Sequence, residues 1–313
     1  MNRYAPEGTY MARPENRDML SSPEALTKAM ERGDILEAVA KLCDSSMTLH
    51  FELGGTPAIM PREEVQHLRD GEESKDIAIL TRVGKPVCFK VIGFTHLEDG
   101  RTAAVLSRRA AQAECAECFI STLLPGDIIP AKITHMENFG AFVDIGCGIV
   151  SLLSIDCISV SRIAHPSDRF SIGDRINCAV KEIDEEGRIY VTHRELLGTW
   201  EENAAYFSPG ETVAGIVRSV ESYGIFVELA PNLAGLAELK PDVLVGDTAA
   251  VYIKSIIPEK MKIKLIIIDH YPAEHDKELQ YFITPDKHPH IDRWQYSPLG
   301  ASKNIETVFN SEK

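Results

Sequence analysis

The sequence predicts an all-β protein of tandem, small, five-stranded barrels joined by short helical linkers. Two observations carry this. A block of residues recurs along the chain, and each copy consists of short runs of alternating apolar and polar residues bounded by Gly, Pro, Asp and Asn.

The recurrence is read first because it fixes the architecture. PGDIIPAKITHMENFGAFVDI (125–145) matches PGETVAGIVRSVESYGIFVEL (209–229) without a gap, so that Pro125, Gly140 and Phe142 find Pro209, Gly224 and Phe226 at one constant offset. Further on, GDRINCAVKEIDEEGRIYVTH (173–193) matches GDTAAVYIKSIIPEKMKIKLI (246–266) at a shorter offset. The second copy therefore lacks the stretch around SRIAHPSDRF (161–170). A weaker copy lies upstream, where MERGDILEAVAKL (30–42), TLHFELGG (48–55) and RVGKPVCFKVIGF (82–94) follow the same order.

The strands come next. IIPAKITHM, AFVDI, RINCAVKEI and RIYVT in one copy, and TVAGIVRSV, IFVEL, AAVYIKSII and MKIKLIII in the other, alternate with period two. About five strands in roughly 70 residues are too few for a two-sheet sandwich and suit a small Greek-key barrel of OB type. RRAAQAECAECFISTLL (108–124) and RELLGTWEENAAYF (194–207) have helix-favouring composition.

The resulting division is an N-terminal extension at 1–29, expected to be flexible, then a degenerate repeat at 30–110 and a linker helix at 111–124. A full repeat at 125–195, a linker helix at 196–208, a full repeat at 209–269 and a partly ordered appendage at 270–313 complete it.

Composition narrows the function. The 313 residues carry 33 Lys and Arg against 47 Asp and Glu, a net charge of -14. Whole-molecule attraction to a polyanion is thereby excluded, and any nucleic-acid contact must be local. No apolar run approaches the roughly 18 residues of a membrane span, and no apolar signal follows the basic N-terminus, so a cytoplasmic protein without membrane contact is expected. Seven cysteines with one CxxC pair, Cys115 and Cys118, are expected to be reduced.

Certain residues stand on the wrong face for a core. Alternation sends Ala141, Val143 and Ile145 inward and leaves Phe142 beside Asp144 outside; likewise Ile225, Val227 and Leu229 face in, with Phe226 and Glu228 out. A second aromatic, Phe139 or Tyr223, precedes Gly140 or Gly224 in each copy. A lone outward ring usually packs beneath a loop. The same pair in two copies argues for a platform on which bases stack, worth about 1–3 kcal/mol per base.

Charge is supplied by the last strand. Lys260, Lys262 and Lys264 alternate with Met261, Ile263 and Leu265, which predicts a basic stripe over an apolar interior. Such a stripe is either a solvated or edge-guarding face or, beside the rings, a set of phosphate contacts. The corresponding strand projects Arg188 and Tyr190 after a turn containing Asp184. Lys132 is a further candidate, and in the inserted loop Arg162, His165 and Arg169 either reach phosphates or cap a short helix. In the upstream copy Met47 and His50 occupy the ring positions and Arg101 follows Gly100 as Arg188 follows Gly187, which suits docking better than RNA binding.

At FGAFVDIG, GDRI and IDEEGRI the chain resembles the S-one repeat, the OB-type RNA-binding module named after a bacterial ribosomal protein. Its succession of repeats is similar to the short S-one proteins of some Gram-positive bacteria. The resemblance implies binding of single-stranded RNA by two aromatics, a His, an Asp and an Arg on one face of the barrel. Carried over, these are Phe139, Phe142, Asp184 and Arg188, with Ser154 where the family has His. In the last repeat they are Tyr223 and Phe226, with Glu238 at the His position and the acid replaced near Pro258. The gapless match sets Met261 opposite Arg188, so giving the basic role to Lys262 requires a one-residue shift in that hairpin.

The function expected is that of a translation-associated protein holding unstructured mRNA near the small ribosomal subunit, monomeric off the ribosome, with the first repeat and the tail as docking surfaces. The alternatives are an RNA-binding subunit or regulator of an RNA-degradation or transcription complex, or a metal-dependent nuclease. Against an enzyme, the sequence holds no P-loop, HExxH, GxSxG or GxGxxG. Neither cofactor nor metal is expected, since His270, His275, His288 and His290 stand most of a chain away from Cys115 and Cys118.

Overall fold

The computed structural model describes residues 3–68, 75–272 and 279–309. They form two compact units, one of Met1–Leu123 with Asp144–Val150, the other of Leu124–Val143 with Ser151–Lys313.

The first unit begins with two helices, α1 (Pro14–Met19) and α2 (Pro23–Arg32). Ser22 caps α2 by accepting the Ala25 N–H at 3.2 Å, and Gly33 ends it in the left-handed region at φ 66°. Strands β1 (Leu36–Val39), β2 (Leu42–Cys43), β3 (Leu49–Leu53) and β4 (Thr56–Met60) follow. After α3 (Asp76–Leu80) come β5 (Pro86–His96), β6 (Thr102–Ser107) and α4 (Arg108–Cys118). The sheet runs β1-β5-β6-β4-β3-β2. Its first strand is broken at Ala40 and Lys41: β1 pairs only with β5 and β2 only with β3, so six strands form an opened barrel where five closed ones were expected.

The flexible N-terminal extension is corrected. Leu26 and Ala29 of α2 lie in the core with Leu36, Phe51 and Phe89. The segment before α1 is pinned by buried charge: the Glu7 carboxylate accepts from Arg108 at 2.7 Å, and that of Glu37 accepts the Tyr10 and Gly8 N–H groups at 2.7 and 3.0 Å.

The second unit contains two closed five-stranded barrels. The first uses β7 (Ile128–Glu137), β8 (Gly140–Asp144), β9 (Val150–Ser154), β10 (Arg175–Ile183) and β11 (Ile189–Thr192) in the order β10-β11-β9-β8-β7. A short helix, α5 (Trp200–Ala204), leads to the next. It uses β12 (Thr212–Glu221), β13 (Gly224–Ala230), β14 (Leu233–Ala237), β15 (Asp247–Ile257) and β16 (Lys262–Pro272) in the order β12-β13-β14-β16-β15. The same strand positions meet in parallel in both barrels, β9 with β11 and β14 with β16, and β4 meets β6 in the same way in the first unit. The chain is thus all-β, with tandem barrels of OB type.

The tail is packed rather than appended. Within its described residues β17 (Arg293–Gln295) pairs with β18 (Glu306–Val308), and Trp294 and Tyr296 complete the core of the last barrel with Trp200, Val217 and Ile253. Tyr281, Ile283 and Ile291 pack beside Ile128, Ala179 and Phe309. The apolar side chains that anchor it carry no repeat pattern, which is why the sequence presents it as a loose end.

Candidate nucleic-acid interface

Each barrel of the second unit displays a ring pair of the same geometry. Phe139, in the turn between β7 and β8, is 55% exposed and meets half-buried Phe142 edge to face at 6.0 Å and 89°. Tyr223, 67% exposed, meets Phe226 at 6.1 Å and 88°.

The glycine between the rings has a structural cause. A Cβ on Gly140 would come within 2.4 Å of the Leu153 carbonyl oxygen, and one on Gly224 within 2.7 Å of that of Ala237. The neighbouring strand closes onto the turn there, and Phe139 accepts the Ile155 N–H at 2.9 Å. The backbone that approaches closely is the protein's own.

Around the first pair stands a histidine that alternation hides. His135 stacks on Phe142 at 6.0 Å and 21°, its Nε2 held by Glu137 at 2.8 Å. Strict period two places His135 inward with Ala131 and Ile133, yet Thr134 and His135 are both exposed while Ile133 is buried. At the corresponding place in the last barrel a bulge between Val217 and Ser219 sets Ser219 opposite Phe226. The break in alternation at Thr134 and His135 leaves no mark in the sequence, which is why periodicity alone hides this histidine.

Ser154 lies beside Gly140, where its Cα is 3.0 Å from a Cβ built on the glycine, and its hydroxyl donates to Asp156. Tyr190 stands opposite Leu152 and donates its hydroxyl to Asp184 at 3.4 Å. Asp184 accepts from the Arg188 guanidinium at 2.7 Å and from its N–H at 2.8 Å, which holds this carboxyl below the usual range. Arg188 also reaches Glu186 at 3.0 Å while remaining half-exposed. Lys132 lies on β7 opposite Arg175.

In the last barrel Phe226 heads a cross-strand row with Leu236 and Lys264. Because Leu236 and Leu152 are equivalent, Lys264 takes the place of Tyr190, and Lys262 that of Arg188. The one-residue shift is present, absorbed where Met261 turns left-handed at φ 48°. Ile257, paired with Lys262, occupies the position of Asp184. The three-lysine stripe is corrected: Lys262 and Lys264 project from β16, but Lys260 lies in the preceding 3-10 turn, and Ile266 and Ile268 extend the outer face instead. Met261 is half-buried against the core. Glu238 is exposed at the end of β14.

The inserted loop behaves differently from its phosphate-binding expectation. His165 caps a short 3-10 turn, its Nδ1 accepting the Ser167 N–H at 3.0 Å. Arg169 is buried, 5% exposed, and holds both oxygens of Glu228 at 2.8 and 2.9 Å; it is sequestered from any polyanion. Arg162 alone of the three is exposed. Glu228 and Asp144, expected outside, are both buried: the first between Arg169 and Arg218, the second by accepting the Gly146 and Gly148 N–H groups at 2.9 Å.

In the upstream copy His50 donates its Nε2–H to the Asp44 carboxylate at 2.7 Å, Arg101 pairs with Asp99, and among the described residues no ring stacks on His50. In the tail His270 pairs with Asp247 and His290 with Asp127, while His275 lies outside the described residues. No helix among the described residues is long and apolar enough to cross a membrane.

Residues 123–194 match the family model described as S1 RNA binding domain. Among curated relatives, small ribosomal subunit protein bS1 of Leuconostoc lactis is 28% identical over 63% of this chain and 47% of its own length. That of Staphylococcus saprophyticus is 32% identical over 46% and 38%, and the bS1 homolog of Bacillus subtilis 26% over 72% and 59%. The chain thus spans about half the length of the relatives it matches. A multidomain protein with nucleic acid binding domains from Streptococcus pneumoniae aligns over 76% of this chain and 74% of its own, at 14% identity and a TM-score of 0.24, too loosely to carry an argument. Residues 123–194 thus carry an S1 RNA binding domain, and the chain is similar to the bS1 proteins over part of its length.

Proposed function

We propose that this protein binds single-stranded RNA on the ring-bearing faces of its two closed barrels and serves translation at the small ribosomal subunit, as a binding protein and not an enzyme. The observation that carries the reading is the duplicate aromatic pair, exposed and in the same edge-to-face arrangement on both barrels. A stacked base needs one open π-face, and each pair offers one without regard to base identity. Exposed Lys262 and Lys264 beside Phe226, and half-exposed Arg188 beside Tyr190, supply positive charge locally on a molecule of net charge -14. The names of the relatives support the ribosomal part, with the opened barrel and the packed tail as docking surfaces.

The test is an anisotropy titration of the whole chain with single-stranded and duplex RNA at two salt concentrations, together with cosedimentation with small subunits. Preference for the single strand is expected. Equal affinity for duplex would remove the stacking argument, and loss of cosedimentation the ribosomal one.

A further inference from the structure

A groove of about 440 Å³ opens beside the ring pair of the last barrel, lined by Tyr223 and Phe226 on one side and by Ser161 and Arg162 of the preceding barrel's inserted loop on the other. Its volume is in the range of small-ligand clefts, roughly 300–1,000 Å³. From this juxtaposition we infer that the last ring pair is half of a composite site: the preceding barrel lends it Arg162, which takes the phosphate of a nucleotide whose base stacks on Tyr223.

Three observations support the assignment. Arg162 is exposed and has no ion pair or hydrogen bond among the described residues, in a protein where most buried and half-buried arginines are matched to a carboxylate. Its place is fixed rather than left to a mobile loop. Val160 donates to Asn232 Oδ1 at 2.9 Å, Ser161 donates its N–H to the Pro231 carbonyl at 3.2 Å, and Arg169 at the far end of the loop is locked on Glu228. The Ser161 hydroxyl, buried in the groove wall, has no hydrogen-bond partner among the described residues, a polar group still to be satisfied.

The composite has a chemical rationale. The preceding barrel places Asp184, Arg188 and Tyr190 together, whereas the last barrel has Ile257 where the acid stands and lacks that constellation. The missing loop that shortens the last repeat is the one whose equivalent, in the preceding repeat, reaches across to supply a cation. A strand of RNA stacked on the last ring pair would meet Arg162 across the groove.

This rests on the RNA-binding reading, and the experiment separates the two. The whole chain and its variants Arg162→Ala, Arg162→Lys and Arg17→Ala are titrated with a single-stranded oligoribonucleotide over a range of salt, after thermal unfolding confirms equal stability. Arg17 is an exposed arginine far along the chain from the groove. Arg162→Ala is expected to bind roughly three- to tenfold more weakly and to lose about 0.7 from the slope of log affinity against log salt, the value of one phosphate contact on a single strand. Arg162→Lys should retain the slope, and Arg17→Ala should match the parent. Unchanged affinity and slope in Arg162→Ala, or an equal loss in Arg17→Ala, overturns the composite site while leaving RNA binding intact. A parent chain that binds no RNA overturns the functional reading itself. Inorganic phosphate or uridine monophosphate competing as well as the oligonucleotide would assign the groove to a free anion and overturn the RNA assignment.

Discussion

Arg169, in the loop inserted between β9 and β10, grips Glu228 of β13 with two guanidinium nitrogens at 2.8 and 2.9 Å, so that one barrel's loop is tied to the next barrel's sheet by a buried ion pair. Arg218 approaches the same carboxylate at 2.9 and 3.0 Å. Burial opposes the charge on Glu228, but Arg169 and then Arg218 outweigh it and hold the carboxyl down at about 2.

Removing that carboxylate is expected to cost more than removing either arginine. Glu228→Ala leaves two buried guanidinium groups uncompensated, for which about 3–5 kcal/mol is typical, whereas Arg169→Ala leaves Glu228 paired with Arg218. Both tryptophans of the chain, Trp200 and Trp294, lie in the core of the last barrel, so their fluorescence in a urea titration reports this cost. Equal destabilisation by the two variants would contradict the shared role of Arg218. Since the folded pKa of Glu228 is lowered, its stabilisation is present above about 4.5 and lost as pH falls toward about 2.

Truncating the exposed rings separates stacking from packing. Phe139→Ala and Tyr223→Ala remove side chains already more than half exposed, so stability should change little while each weakens oligonucleotide binding by about 1–3 kcal/mol. Phe142→Ala and Phe226→Ala should weaken binding comparably but also cost some stability, because these rings are half-buried. Anisotropy titration alongside thermal unfolding reads both quantities. Intact binding in the Phe139 and Tyr223 double variant would remove the platform.

Lys262 offers a charge test of the hairpin register. Aligned with Arg188, it should act on phosphate, so Lys262→Ala is expected to flatten the salt dependence by about 0.7, while Lys260→Ala, displaced into the turn, should change it less. The reverse ranking would place the basic contact in the turn and not on β16.

What the sequence disclosed and what it hid follow from the range of the interactions. Period-two alternation and the constant offset between Phe142 and Phe226 are local or repeated, and they made the closed barrels, the ring pairs and the shift to Lys262 legible. Bulges and partners distant along the chain are not written in any local pattern. His135 was hidden by a break in alternation, Thr134 and His135 being exposed in succession, and Arg169 resembled a free surface cation because Glu228 lies far along the chain. Glu228 itself stood on the outer face by alternation, as observed, but an outer face covered by a neighbouring loop is no longer solvent. The opened first barrel follows the same rule, since the break at Ala40 and Lys41 depends on which strands claim each half.

Gly140 tests whether the ring platform depends on close strand approach. Its missing Cβ would stand 2.4 Å from the Leu153 carbonyl, a backbone atom that cannot rotate away. Gly140→Ala should therefore push β8 and β9 apart at the turn that holds Phe139, at a cost of about 1–3 kcal/mol as for other overpacked sites, and loosen RNA binding with it. Unfolding and anisotropy measured together should fall in step; full stability with lost binding would show that the glycine serves the ligand instead.

The last test concerns His193, buried at the end of β11. The Ile158 carbonyl, at 2.9 Å from Nδ1, can only accept, so Nδ1 carries the proton and Nε2 accepts from the Tyr281 hydroxyl at 3.0 Å. Tyr281 in turn accepts the Asn177 N–H at 3.3 Å, which closes a chain of hydrogen bonds joining the barrel to the tail. Burial is the main force on this imidazole and pushes its pKa from 6.5 down to about 4. The unfolded chain therefore binds a proton that the folded one refuses, and stability falls as pH drops from about 6.5 to about 4, by on the order of 3 kcal/mol. Protonation also turns Nε2 into a second donor, which Tyr281 can meet only by giving up its own donation. Calorimetric unfolding from pH 7.5 to 4.5 should show this loss, and His193→Gln, which can donate and accept but not titrate, should remove it from the profile; an unaltered pH dependence in that variant would assign the loss to other groups.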